Sequence, residues 1–153
     1  MQISRRSILK IVAATLILSL AACGGGGADE NPSVIYGWGD VDRLEVIDTV
    51  DGTGERAATG HSITIDYDGY IYDIREFDLR GAQFDSTSGG EPFEFLLGST
   101  DVITALNQGL VGMRVGGRRT LIVPTGLAYG RQGNGPIPPN AALVFDIELL
   151  DVD

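Results

Sequence analysis

Few side chains in this chain can do covalent chemistry. It holds a single histidine, His61, a single cysteine, Cys23, and a single lysine, Lys10. A zinc site built on imidazoles is therefore poor. A nucleophile–His–acid triad would have to use His61, which lies in a Ser/Thr/Ile-rich stretch with no motif around it. Beyond Lys10 no amine is available for a Schiff base or a P-loop. One cysteine cannot close an intrachain disulfide. Carboxylates are plentiful, with 21 Asp and Glu against 11 Lys and Arg, a net charge of −10. Three of the positive charges, Arg5, Arg6 and Lys10, stand in the first ten residues; without them eight basic residues face 21 acidic ones, a net of −13. That balance excludes the basic footprint of a nucleic-acid binder. Asp66, Asp68 and Asp73 lack the spacing of a calcium loop and read as a solvated face. Asp85 with Glu91 or Asp101 could form a glycosidase pair, but nothing in the sequence supplies a sugar groove. No metal site and no cofactor is expected. What remains is hydroxyls, carboxylates, backbone groups and aromatic rings clustered around Gly/Pro loops.

The elements that would position these residues are mostly strands. Arg43-Leu44-Glu45-Val46-Ile47 alternates, and Asp51-Gly52-Thr53-Gly54 reads as a turn. Ile63, Ile65 and Tyr67 share one face of a strand whose other face carries Ser62, Thr64, Asp66 and Asp68, the period of a half-buried antiparallel strand. Phe93, Phe95 and Leu97 continue the pattern, Leu121 to Val123 is a short apolar run after Arg118-Arg119, and Leu143, Phe145, Ile147 and Leu149 share a face opposite Asp146 and Glu148. One stretch breaks the period. Ile103, Leu106 and Leu110 are spaced i, i+3, i+7, which is helical, with Ser99-Thr100-Asp101 as candidate caps and Gly109 and Gly112 limiting its length. The expected class is α+β, a twisted antiparallel sheet of about five strands wrapped over one short helix.

The first 22 residues read as an address. Positive charges in residues 1–10 precede an apolar run, residues 11–22, too short to span a bilayer and suited to a signal-peptide core. Leu20-Ala21-Ala22-Cys23 resembles a bacterial lipobox, in which the cysteine is acylated and begins the mature chain; Ser4-Arg5-Arg6-Ser7-Ile8-Leu9-Lys10 also resembles a twin-arginine export signal. The expectation is a signal peptide over 1–22, a lipidated Gly-rich linker over 23–41 carrying the lone Trp38, and a folded domain over 42–153. Several acyl chains on one residue would anchor it stably to a membrane. The expected place is the bacterial cell envelope, outside the cytoplasm, with Gly24 after the lipid-bearing cysteine favouring the outer membrane facing the periplasm.

Several ordered blocks carry a family resemblance. They are Gln83-Phe84-Asp85-Ser86, Pro92-Phe93-Glu94-Phe95-Leu96-Leu97-Gly98, Asp101-Val102-Ile103, the run from Gly109 to Gly117, Gly126-Leu127-Ala128-Tyr129-Gly130, and the run from Gly135 to Leu150. Together, from about Leu44 to Val152, the chain resembles the FKBP-type peptidyl-prolyl cis-trans isomerases, in a bacterial lipoprotein form. The resemblance implies an FKBP-like fold with a cavity between helix and sheet. Its catalytic residues would be Tyr67, Phe84, Asp85, Tyr129 and Phe145, and its substrate-binding residues Phe93, Val102, Ile103, Leu106 and Ile137. Phe95, Leu97 and Ile147 are expected to be core.

The resemblance further implies a rotamase that assists the folding of exported proteins by holding the twisted X–Pro amide without a covalent step. Proline-containing polypeptides would be its partners, and macrolides such as rapamycin would compete for the same cavity. The sequence departs from the family in four places. Leu106 stands where the family usually has Trp, the loop from Asp85 to Pro92 is shorter and lacks its Arg, the loop after Tyr129 is shorter and has Asn134 near a common His, and Tyr70 to Gln83 is longer than the family's turn. A lipid-anchored peptide-binding module or holdase chaperone with little isomerase activity is the alternative, its argument being the altered rim and floor.

Overall fold

The computed structural model describes residues 41–153. The expected signal peptide, the twin-arginine resemblance, the lipobox-like Cys23 and the expected Gly-rich linker up to residue 40, with Trp38, lie outside the described residues. Six strands and one α-helix follow in the order β1 (Glu45–Val50), β2 (Ser62–Tyr72), β3 (Arg80–Ser86), β4 (Phe93–Leu96), α1 (Thr104–Gly109), β5 (Arg118–Val123) and β6 (Leu143–Val152), with a 3-10 turn at Thr125–Leu127. The strands form one antiparallel sheet in the order β1-β5-β6-β2-β3. β4 pairs with the first half of β2, from Ser62↔Leu96 to Ile65↔Phe93, while β3 pairs with its second half, from Asp68↔Ser86 to Tyr72↔Arg80. Six strands therefore fill five lanes, because β3 and β4 share one edge.

The inward faces follow from period two. Ile63 and Ile65 of β2, Leu121 and Val123 of β5, and Leu143, Phe145, Ile147 and Leu149 of β6 are buried, and Leu106 and Leu110 pack against them from the helix side. Each such side chain taken out of water contributes about 1.5–3 kcal/mol before chain entropy is set against it. Phe95, Leu97 and Ile147 are core residues. Val144 is also buried although it faces the other way, because its neighbours across the sheet are Ile122 and Tyr70.

Two glycines let layers come close. A Cβ on Gly109 would stand 2.6 Å from a Leu121 methyl, so helix and sheet could not approach as they do. A Cβ on Gly69 would stand 2.6 Å from the Phe84 ring, which lies directly over β2. The second contact is what seats an aromatic ring at the site.

Two local expectations are corrected. The alternation at Arg43–Ile47 does not give β1 a buried face. Every residue of Glu45–Val50 is exposed, since β1 is an edge strand that pairs only with β5. Ser99, Thr100 and Asp101 do not cap the helix; its N-cap is Ile103, with no side-chain cap hydrogen bond. The preceding loop is instead tied to the helix by Asn107, whose Oδ1 accepts from the Gly98 N–H (2.7 Å) and whose Nδ2 donates to the Ser99 carbonyl (2.7 Å). Arg119, two residues before Leu121 on the same face of β5, is buried although it carries a charge. It donates to the Gly109 carbonyl at 2.5 Å and to Asp48 at 2.6 Å, placing a cation at the helix C-terminus where carbonyls lack partners.

Candidate active site

The site gathers residues from six separate pieces of chain. β2 presents Tyr67, which follows Ile63 and Ile65 on the inward face. β3 presents Phe84 and Asp85. β4 begins with Phe93, and β6 contributes Phe145. The segment before α1 adds Val102 and Ile103, and the helix adds Leu106. Tyr129 and Asn134 come from the loop between β5 and β6. These residues, with Thr100 and Asp101, line a cavity of about 390 Å³.

Its wall is a set of aromatic edges. Phe84 meets Phe145 edge-on with centroids 5.6 Å apart, Tyr67 meets Phe93 edge-on at 6.0 Å, and Tyr67 lies tilted against Phe145 at 6.0 Å. Phe93 in turn stacks on the core residue Phe95 at 5.3 Å. Edge-to-face packing of this kind is favourable beyond area burial and holds the rings in place.

One polar pair sits against this wall. The Tyr67 hydroxyl donates to Asp85 Oδ2, and the Ser86 backbone N–H donates to Oδ1 at 2.9 Å, so the carboxylate is oriented from both sides. Burial, and then the Asp85 carboxylate, push the Tyr67 hydroxyl well above the usual phenol range. At neutral pH the phenol is therefore a fixed donor and not a base.

The loop carrying Tyr129 is internally braced. Gly130 N–H donates to Thr125, Asn140 N–H to Gly130, and Asn134 and Ile137 exchange backbone hydrogen bonds of 3.0 and 2.9 Å. That bracing sends Ile137 inward. Ile137, read from the sequence as a lining residue, is buried in the core cluster, as Leu106 and Phe145 are, but unlike them is not among the residues that line the cavity. The other nine residues of the sequence-based set line the cavity together. Thr100 and Asp101 are missed as lining residues because a short non-helical, non-strand segment has no periodicity to read. His61 lies outside the cavity, at the turn before β2, and its Nδ1 is buried without a partner.

Other carboxylates are occupied elsewhere. Asp66 accepts from Thr87, Asp68 from Gln83 and Ser86, and Asp73 from Arg75. A larger cavity, about 490 Å³, lies on the opposite face of the sheet among charged side chains including Arg80, Arg118, Asp146 and Glu148, which pair with one another. Tyr67 is the one aromatic residue lining it, so it lacks the ring cluster of the smaller cavity.

Residues 53–150 match the family model of the FKBP-type peptidyl-prolyl cis-trans isomerases. The chain belongs to this family. A peptidyl-prolyl cis-trans isomerase of Arabidopsis thaliana, FKBP15-3, is 40% identical over 115 residues, covering 74% of this chain and 76% of the plant protein. The 39 kDa FK506-binding nuclear protein of Drosophila melanogaster is 37% identical over 126 residues, 82% of this chain. The chain spans 32% of that protein's length, and 20% and 22% of two fungal FK506-binding proteins. Among solved structures, FkpA from Escherichia coli superposes with a TM-score of 0.61 at 37% identity, over 72% of this chain and 48% of FkpA. AtFKBP13 gives 0.62 at 34% identity, over 72% and 93%. The antiparallel sheet over one short helix is thus an FKBP fold, and the aromatic cavity of this FKBP domain lies between the two layers.

Proposed function

We propose that this FKBP domain catalyses cis–trans isomerisation of X–Pro bonds in proline-containing polypeptides, assisting the folding of exported proteins at the cell envelope. The observation that carries the reading is the Tyr67–Asp85 hydrogen bond set against the rings of Phe84, Phe93 and Phe145.

An X–Pro bond is a tertiary amide with a rotation barrier of ~18–20 kcal/mol and a small trans preference, so nothing covalent need change. Twisting the bond breaks resonance and reduces charge separation. An apolar aromatic enclosure therefore suits the twisted amide better than the planar one, and that difference in binding is the catalysis. Leu106 forms the floor under the prolyl ring, with Val102, Ile103 and Phe93 beside it. The Tyr129 hydroxyl and the Ile103 backbone N–H donate to carbonyls flanking the proline. Asp85, held by Tyr67 and Ser86, acts through its field on the twisting amide and not as a proton carrier. Macrolides that mimic a prolyl group, rapamycin among them, would compete for the cavity.

The envelope location rests on the lipobox. Acylated Cys23 would tether the domain through the linker 23–41, on the outer membrane facing the periplasm, after removal of residues 1–22. A protease-free isomerisation assay of the chain on a proline tetrapeptide tests the activity; turnover inhibited by rapamycin is expected, and absence of turnover by a folded domain would overturn it. Cys23→Ser tests the anchor: the variant is expected to leave the detergent phase and take up no acyl label, and unchanged partitioning would end the claim.

A further inference from the structure

Beyond the cavity, the hairpin joining β2 to β3 carries an unusual arrangement of apolar side chains. Ile74 and Phe77 are the two most exposed large apolar residues among those described, at 56% and 105%. Their exposure is not the result of a loose loop. The Asp73 N–H donates to the Leu79 carbonyl, Glu76 N–H to Asp73, and Leu79 N–H to Glu76. Arg75 clasps the Asp73 carboxylate through Nε at 2.8 Å and Nη2 at 2.5 Å. Leu79, a non-glycine residue, takes a left-handed backbone with φ 64°, and that turn packs its own side chain against the core. Of the three large apolar residues in the tip, the braced turn leaves Leu79 half-buried against the core and Ile74 and Phe77 exposed. A polar residue at either position would fold as well and avoid the exposed surface.

The tip is continuous with the cavity through its own strands. Phe84 and Asp85 lie on β3, opposite the end of β2 that follows Tyr67, and the hairpin extends both strands away from them. From Asp85 back to Arg80, where β3 begins, is about 17 Å at the rise of an extended chain. The loop that brings Tyr129 and Asn134 to the cavity ends at the same end of the sheet, where the Tyr72 N–H donates to the Ala142 carbonyl and Ile71 pairs with Leu143.

We propose that Ile74 and Phe77 form a second contact site for the polypeptide whose proline occupies the cavity. It takes apolar side chains that lie about five to seven residues from the proline in an extended client. The inference rests on the isomerase reading and gives that site its substrate class: unfolded segments with an apolar residue at a distance, in preference to short peptides. A tetrapeptide reaches the cavity but not the tip.

The test uses the full chain, its Ile74→Ser/Phe77→Ser variant, and Val111→Ser as a control that removes an exposed apolar side chain elsewhere. The substrates are the tetrapeptide Ala-Leu-Pro-Phe and two series of longer peptides with the same core. In one series Leu, and in the other Ser, stands six residues before or after the proline. All variants are first shown by circular dichroism to melt cooperatively near the parent temperature. Tetrapeptide kcat/KM is expected to be equal in all three proteins. The parent and Val111→Ser should favour the Leu peptides over the Ser peptides by about tenfold, and the double variant should lose that preference. Phe77→Leu should restore most of it. A preference that is absent in the parent, retained in the double variant or lost equally in Val111→Ser overturns the proposal. Fluorescence anisotropy of the labelled longer peptides separates the two readings. If no protein turns over the tetrapeptide, the isomerase reading fails. The tip then stands or falls on whether the double variant weakens binding of the Leu peptide.

Discussion

Asp85→Leu should cost more activity than Tyr129→Phe, and the structure sets the scale of each loss. Tyr129 lines the cavity from a braced loop, and changing it to Phe keeps the ring while removing one donor. A neutral hydrogen bond is worth a net ~0.5–1.5 kcal/mol, which predicts a fall in kcat/KM of about two- to twelvefold. Asp85 accepts from both Tyr67 and the Ser86 N–H, and its replacement by Leu strips the Tyr67 hydroxyl of its acceptor and removes a negative charge from the wall. Hydrogen bonds to a charged group are worth ~1.5–3 kcal/mol, so a fall of about ten- to 150-fold is expected. Asp85→Asn separates field from shape. It keeps an acceptor for Tyr67 without the charge, and should fall between the other two if the field carries most of the effect. The assay is protease-free isomerisation of a proline tetrapeptide, with thermal unfolding of each variant confirming that the fold survives. If Tyr129→Phe is the more damaging change in folded protein, or if Asp85→Asn is as active as the parent, the electrostatic role assigned to Asp85 is wrong.

Other outcomes follow from the same geometry. Leu106 is buried at the cavity floor, so Leu106→Trp should add flat apolar area, tighten rapamycin binding and create an indole whose emission responds to it; unchanged affinity with an insensitive indole would show that residue 106 does not meet the ligand. Burial opposes the charge on Asp146, but hydrogen bonds from Arg80 and Thr120 outweigh it and hold the carboxyl below its ordinary value. Its contribution to stability is therefore complete above the ordinary carboxylate range of about pH 4 and is lost as pH falls through the lower folded value. Melting temperatures of the parent and Arg80→Gln should differ at neutral pH and converge below that range, and a constant gap down to the lowest pH would refute the linkage. With His61 outside the cavity, kcat/KM should be nearly flat from about pH 6 to 8 and His61→Ala should keep near-parent activity. An inflection in that range which disappears in His61→Ala would contradict the mechanism.

Much of this protein is legible in its sequence because much of it is governed by local periodicity. Ile63, Ile65 and Tyr67 share a face for the reason any strand residues two apart do, and Leu143 to Leu149 sort their apolar and charged positions likewise. Leu106 and Leu110 face the sheet because helical spacing puts them there, and the scarcity of His, Cys and Lys restricts the chemistry before any fold is known. Residues whose surroundings come from distant chain were not legible. The alternation in β1 has no buried face to serve, because the strand ends up at an edge. Period two puts Arg119 on the face of Leu121 and Val123, but only the tertiary structure supplies the Gly109 carbonyl and Asp48 that let a cation stay buried there. Ile137 is buried within a loop that a backbone bridge to Asn134 closes. Thr100 and Asp101 reach the cavity because Asn107, on the helix, holds the loop before them. Ile74, Phe77 and Leu79 are all apolar within six residues, and only the hydrogen-bonded turn decides that one packs half-buried on the core and two are exposed. Sequence pattern specifies which face of an element is apolar. Which partner covers that face, or whether any does, depends on contacts between residues far apart in the chain.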